Sequence, residues 1–395
     1  MLILAFIGGG IAALGWLYLL LARSGFWRLA VANGPEDSPP KREYRVAIVV
    51  PARNEAGSVS AAVTSLLRQD HSGWFHIFLV DDGSSDGTAG VAREAAQQAG
   101  RKNLLTVISA GALREGWSGK LWAMQQGIEA ARAFAPEFFL FTDADIVHAP
   151  ATLTALLGIA ERENRDLVAF MVKLACGSFA EKLLIPAFVF FFFQLYPPRW
   201  VASSKRHTAG AAGGCMLARV SAFEKSGGLA AIRSEIIDDC ALARSIKSAG
   251  ARLWLGPTQS SESLREYGDA NEISRMIART AFSQLRHSSF LLALTLLGMI
   301  VLYLLPVALL FTGDTRAVAL GAFACLLMLF AYLPMVRFYC LNPLWALTLP
   351  VAAVFYCGAT LRSAWNFWRG RGGEWKGRAQ DLCKTATASS AEGAQ

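Results

Sequence analysis

FLFTDADIVHAP, Phe139 to Pro150, runs from an apolar segment into Asp143-Ala144-Asp145 and straight back into apolar residues. The apolar segment, EFFLFTDADI as a whole, reads as a buried strand. In a strand, residues i and i+2 point to the same side. Asp143 and Asp145 at its end are therefore expected to face one way and to share a hard divalent cation, Mg²⁺ or Mn²⁺, which prefers oxygen ligands. A solvated turn that caps a helix starting near Pro150 is the other reading, and the motif alone leaves both open.

The same form recurs upstream. YRVAIVVPARNEA (Tyr44–Ala56) is a β-branched apolar run stopped by proline and polar residues, and HIFLVDDGSSDGT (His76–Thr88) ends in Asp81-Asp82-Gly83. NLLTVISAG reads as a further strand; AGVAREAAQQAG and the stretch from Lys120 to Phe134 read as helices. Strands alternating with helices at these lengths imply a doubly wound parallel sheet. Ligands of such sheets bind outside the carboxyl ends of the strands. Glu55, Asp81, Asp82, Asp143 and Asp145 all fall there.

The composition does not suit an ordinary soluble enzyme: 54% of the 395 residues are hydrophobic and only 17% charged. Met1–Ala22, Ser288–Gly313, Ala317–Val336 and Phe338–Leu361 carry no charge, and each is long enough to cross a bilayer. The first lacks a basic start and a clear cleavage site, and is read as a retained anchor. Leu183 to Phe193 is an apolar run too short to span, and it suits an interfacial segment near 178–200. Arg199, Trp200, Lys205 and Arg206 follow it as headgroup-level anchors. The expected organisation is thus a membrane helix at 1–22, an α/β domain at 23–287, transmembrane or re-entrant helices at 288–365, and a basic, then disordered tail at 366–395.

The net charge of +8 gathers beside the apolar segments and forms no nucleic-acid stripe. Arg23 and Arg28 after an uncharged start place the α/β domain in the cytoplasm. Three later crossings would then leave a basic C-terminus outside, against the same rule, so one segment is expected to re-enter; Asn342-Pro343 and Pro350 make the last the one to break. The seven cysteines form neither a CxxC pair nor a zinc-spaced cluster, which points to a reducing compartment.

Two more stretches carry chemistry. GWSGK opens a helix with glycines and Lys120, where a phosphate can approach backbone and positive charge. SEIIDDCALARSIKSAG (Ser234–Gly250) places Asp238-Asp239 ahead of an amphipathic helix; they are either acids favoured by the helix dipole or a general base. Cys240 beside them has no histidine partner in the sequence, and His148 reads as loop structure.

In this order, VVPARNEA, VDDGSSDGT, GWSGK, FTDADI, GGCMLARVSAFEKSGG and IIDDCALARSIKSAG resemble the family-2 glycosyltransferases with a GT-A nucleotide-sugar domain, a Rossmann-like fold, and EWKGR resembles their membrane-bound branch. Within that branch the chain looks most like the hopene-associated glycosyltransferases, and more distantly like ceramide and carotenoid glycosyltransferases. The resemblance implies nucleotide contacts from Pro51, Ala52, Glu55, Asp81 and Asp82, metal binding by Asp143 and Asp145, and Lys120 near the diphosphate. It implies Asp239 as catalytic base, with Asp238 the weaker candidate. It further implies a nucleotide-sugar donor, with UDP as carrier, a lipid acceptor, inverting transfer, and residence in a bacterial cytoplasmic membrane. One departure stands out. Where relatives carry QxxRW, FSQLRHS has Gln284 and Arg286 one residue too close and His287 in place of tryptophan. Gln284 and Arg286 remain substrate-side candidates, with a basic helix at the membrane surface as the plainer reading. The departure weighs against the alternative of a processive polysaccharide synthase. The intact acids weigh against a non-catalytic membrane scaffold.

Overall fold

Continuous apolar runs become the inner strands of a sheet in the computed structural model, which describes residues 2–32, 39–370, 374–375 and 378–379. In chain order come α1 (Leu2–Leu21), β1 (Val46–Ala52), α2 (Val59–Leu67), β2 (Phe75–Asp81), α3 (Thr88–Gln98), β3 (Leu105–Ser109), α4 (Gly119–Arg132), β4 (Phe138–Thr142) and β5 (Ile146–His148). Next are α5 (Thr152–Arg162), β6 (Leu167–Lys173), α6 (Phe179–Leu195), α7 (Pro198–Ala202), β7 (Cys215–Arg219), α8 (Val220–Lys225), α9 (Asp238–Ser248) and β8 (Leu253–Ser263). The last are α10 (Ala270–Gln284), α11 (Ser289–Met299), α12 (Leu305–Leu309), α13 (Thr315–Phe338) and α14 (Leu349–Trp368), then β9 (Glu374–Trp375) paired antiparallel with β10 (Arg378–Ala379). Most of the tail lies outside the described residues.

The chain divides into two units, an α/β unit of residues 30–175 and 200–266 and a helical unit of the rest. The sheet of the α/β unit has the order β3-β2-β1-β4-β7-β6-β8-β5. Every residue of β1, β2 and β4 is buried, as a sheet covered on both faces requires. Helix α4 lies close on it at Gly127, where a Cβ would come within 2.7 Å of Val49 Cγ1 and 3.0 Å of Val80 Cγ2.

The parallel expectation holds for β1 to β4 and for the β6–β8 pair, but not for β5 and β7. Strand β7 runs antiparallel to β4 and β6, and β5 antiparallel to β8, so the sheet is mixed. Strand β7 enters beside the carboxyl end of β4, with Cys215 opposite Thr142. The loop before it, Gly213-Gly214, thereby arrives at the edge where Asp143 begins. A second correction concerns Asp143-Ala144-Asp145. Strand β4 stops at Thr142, and the three residues form a turn in which Ile146 N–H donates to Asp143 O at 3.3 Å. The alternation survives the turn: Ala144 is buried while both carboxylates are half-buried.

Among the described residues, four segments are long and apolar enough to cross a membrane: Phe179–Ala202, Ser289–Leu309, Thr315–Phe338 and Pro343–Trp368. The first is longer than the apolar run suggested, because Ser178 and Glu181 form a capping box that starts α6 early. The buried Glu181 also accepts from Gly177 N–H and Tyr267 N–H. Strands β6 and β7, on either side of this segment in sequence, are hydrogen-bonded to each other. A single crossing between them would set adjacent strands of one sheet on opposite sides of a bilayer. The last of these segments begins with a 3₁₀ turn, Pro343–Thr348, ahead of α14.

Ser289–Leu309 contains a π-helical stretch, Ile300–Leu304, ahead of Pro306. In α-helical register the carbonyl of Leu302 would accept from residue 306, a proline without an N–H. The indole Nε1–H of the fully buried Trp16 donates to that carbonyl at 2.7 Å instead.

Candidate active site

Two clusters form at the carboxyl edges of the adjacent strands β2, β1 and β4. In the first, the loops after β1 and β2 are stitched together. Asn54, with φ of +51°, receives Ser85 N–H on its side-chain oxygen and donates its own N–H to Ser84 Oγ. Glu55 N–H donates to Thr88 Oγ1, and Ala56 N–H to Asp86 Oδ2. Asp82 N–H donates to Ala52 O at 2.8 Å. These bonds bring Pro51, Ala52, Glu55, Asp81 and Asp82 together.

Asp81 and Asp82 are not equivalent. Asp81 accepts from the N–H and hydroxyl of Ser84. Asp82 is 2% exposed, and Arg53 donates to its backbone oxygen and reaches its carboxylate at 3.4 Å. Arg53 was missed in sequence; as the one cation in PARNEA it gave a signal, but nothing local told which carboxylate it would meet.

The second cluster gathers around Lys120. Ser118 caps α4, accepting from Leu121 N–H, and its own N–H donates to Arg233 O at 2.8 Å. That bond joins the start of α4, where Lys120 lies, to the loop ahead of Asp238. The Lys120 ammonium lies 3.0 Å from Asp143 Oδ1 and 3.3 Å from Asp238 Oδ2. Burial by itself would lower its pKa, but the charges of Asp143 and Asp238, the hydrogen bond to Asp143 and the charge of Asp239 outweigh it. Lys120 is held protonated.

Asp238 and Asp239 are the first two residues of α9, where the helix dipole favours acids. Asp239 accepts from Cys240 N–H at 2.6 Å and from Gly213 N–H at 2.9 Å. Burial first, and then the charge of Asp238, raise its pKa to about 6, against those two bonds and Lys120, which lower it. Gly213 belongs to the contact itself, since a Cβ there would lie 3.4 Å from Asp239 Oδ2 and 3.7 Å from Lys120 Nζ. It too was missed, because only the tertiary fold brings residues 213 and 239 together.

Asp145 follows Asp143 in the turn, and its backbone oxygen accepts from Leu264 N–H at 2.8 Å. Among the described residues no three of His, Cys, Asp and Glu gather as a metal site. Gln284 and Arg286 belong to the helical unit, not to either cluster. Gln284 donates to Tyr196 Oη at 2.7 Å, and Arg286 has φ of +52° in the turn after α10. Cys240 is buried, with its thiol toward Ala211 O, and burial pushes the Cys215 thiol up to about 12. Neither suits a nucleophile.

Residues 47–227 match the family model described as Glycosyl transferase family 2. This segment is thus similar to the family 2 glycosyltransferases. The matched segment holds the whole first cluster with Lys120, Asp143, Asp145 and Gly213; Asp238 and Asp239 lie beyond it. Among solved structures, the chain is similar to a mannosyltransferase from Pyrobaculum calidifontis in complex with GDP-Man and Mn²⁺, at 18% identity and a TM-score of 0.58. The similarity covers 93% of this chain and 99% of that one, and it shows a shared GT-A fold. Lower scores attach to mannosyl-3-phosphoglycerate synthase from Rubrobacter xylanophilus (20% identity, 62% and 74% covered, TM-score 0.37). The same holds for glucosyl-3-phosphoglycerate synthase from Mycobacterium tuberculosis with Mg²⁺ and UDP (16%, 61% and 79%, 0.38). At those scores the two add nothing to the fold assignment.

Proposed function

We propose that the chain is a membrane-bound inverting glycosyltransferase that moves one sugar from a nucleotide-sugar donor, with UDP as carrier, to a lipid alcohol of polyisoprenoid origin such as a hopanoid. The observation that carries the reading is Lys120, whose ammonium draws an acid of the DxD turn and an acid of the Asp238-Asp239 pair into one cluster. The cluster stands on the strand edge where α/β sheets bind ligands.

In this reading Asp82, with Asp81 beside it, binds the nucleoside, and Pro51, Ala52 and Glu55 line its loop. Asp239 accepts the proton of the acceptor hydroxyl as that oxygen attacks the anomeric carbon. The C–O bond to the diphosphate breaks as the new C–O bond forms, with inversion and without a covalent intermediate. Lys120 supplies positive charge where the leaving diphosphate gains negative charge. Asp143 and Asp145, two half-buried carboxylates, would hold Mg²⁺ or Mn²⁺, for which their hard oxygens are fitting ligands. When bound, such an ion supplies Lewis-acid neutralisation of the diphosphate.

The apolar segments support a lipid acceptor and a cytoplasmic-membrane location, with the catalytic domain in the cytoplasm. Phe179–Ala202 fits an interfacial or re-entrant segment, since the strands flanking it share a sheet. Purified full-length protein, screened with nucleotide sugars against membrane lipid extracts by mass spectrometry, tests the proposal. A singly glycosylated lipid, lost in Asp239→Asn and Asp143→Ala variants, is the expected result. Full turnover by either variant would refute the assigned roles, and long polymeric products would favour a processive synthase.

A further inference from the structure

His148 is unused by the mechanism above, yet it is tied to the active cluster. Its side chain is 6% exposed and lies between Thr142 (1%) and Ser261 (0%). Nε2 is 2.9 Å from Thr142 Oγ1, and Nδ1 is 2.8 Å from Ser261 Oγ. Its backbone N–H donates to Ser65 Oγ on α2 at 3.1 Å.

Counting protons fixes the roles. The Thr142 hydroxyl carries one proton and donates it to Gly214 O at 2.8 Å, an atom that can only accept. Toward His148, then, Thr142 accepts, and Nε2 carries the hydrogen. Burial lowers the imidazole pKa to about 4, so the ring is neutral near neutrality and Nδ1 accepts from the Ser261 hydroxyl. Every polar atom of the ring is engaged, which leaves no lone pair for a metal.

The chain of bonds continues to both stations of the proposed reaction. Thr142 immediately precedes Asp143. Gly214, which it holds, immediately follows Gly213, whose N–H donates to Asp239 Oδ2 at 2.9 Å. We propose that His148 is a positioning residue which, by orienting the Thr142 hydroxyl, fixes the Asp143 turn relative to Asp239 through the Gly213-Gly214 segment. The proposal rests on the reading of Asp143 and Asp239 given above. Slackening this tie should misplace the reacting groups while leaving donor and metal sites intact. A displacement approaching about 1 Å can cost on the order of 100-fold in rate.

Thr142→Val removes the hydroxyl at nearly constant shape, Thr142→Ser keeps it, and His148→Phe keeps a ring without nitrogens. In the full-length protein, Thr142→Val and His148→Phe should each lower kcat by about 10-fold to 100-fold. Donor KM, and Mn²⁺ affinity measured by electron paramagnetic resonance with Mn²⁺ alone, should change less than about threefold. Thr142→Ser should restore kcat. The double variant should be no slower than either single variant, because residues in one network are not additive. Additive losses, an unchanged kcat in Thr142→Val, failure of Thr142→Ser to rescue, or a Mn²⁺ affinity that falls with kcat would each overturn the proposal. Nitrogen-15 spectra of labelled histidine provide a readout independent of sugar transfer and of any variant's folding. They should show the neutral Nε2–H tautomer of His148 near pH 7; the Nδ1–H tautomer or a cation there would overturn the inference even in active enzyme. Absence of transfer by the wild-type chain with that tautomer present would instead count against the proposed function.

Discussion

Replacing Lys120 by methionine tests whether its charge sets the working pH of Asp239. The separation of the two groups is bounded by Gly213. A Cβ there would lie 3.4 Å from Asp239 Oδ2 and 3.7 Å from Lys120 Nζ, so the two atoms are at most about 7 Å apart. At an effective dielectric constant of about 20, unit charges at that distance attract by about 2 kcal/mol, which corresponds to about 1.5 pKa units. The direction follows from the chemistry: the base must be ionised, burial and Asp238 already push its pKa up to about 6, and Lys120 holds it down. Removing Lys120 raises it further. The acid limb of kcat/KM should move upward by about 1 to 2 pH units. Slightly above the wild-type limb the ionised fraction should drop by about tenfold, and at alkaline pH this part of the loss should vanish. Any loss that persists at alkaline pH measures the direct contribution of Lys120 to the leaving diphosphate. The assay is a full pH profile of sugar transfer for wild type and Lys120→Met. A limb that stays put while the amplitude falls would refute the electrostatic link, and with it the case for Asp239 as the titrating base.

Chelation should abolish transfer, and added Mn²⁺ or Mg²⁺ should restore it in wild type but not in Asp143→Ala; activity indifferent to chelator would remove the metal from the proposal. Trp16→Phe keeps an aromatic ring near Tyr303, 5.3 Å away, but takes the indole donor from Leu302 O. It should destabilise the helical unit by about 1–3 kcal/mol, visible as a lower thermal midpoint in detergent, whereas an unchanged midpoint would mean that the carbonyl finds another donor. Gly127→Ala would press a methyl group against Val49 and Val80 and should cost about 1–3 kcal/mol by the same measurement; a neutral result would show that α4 can shift off the sheet.

What is local is legible in the order of the residues. Apolar runs followed by turn residues give β1, β2 and β4, and they put Asp82 and Asp143 at strand ends, because strand propensity, burial and turn chemistry act over a few neighbouring residues. Uncharged stretches likewise mark the long apolar helices by length alone. The tertiary structure sets the direction of β7 and β5, since an apolar strand reads alike whichever way it enters a sheet. It alone made Lys120 the partner of Asp143 and Asp238, and it moved Gln284 and Arg286 out of the α/β unit. His148 shows the limit most clearly. Beside Asp143-Ala144-Asp145 it looks like a loop residue, and its role depends on Ser261 and Gly214, which the sheet order brings to it. Which proton a buried imidazole keeps is settled by partners far away in the chain, and no local pattern encodes them.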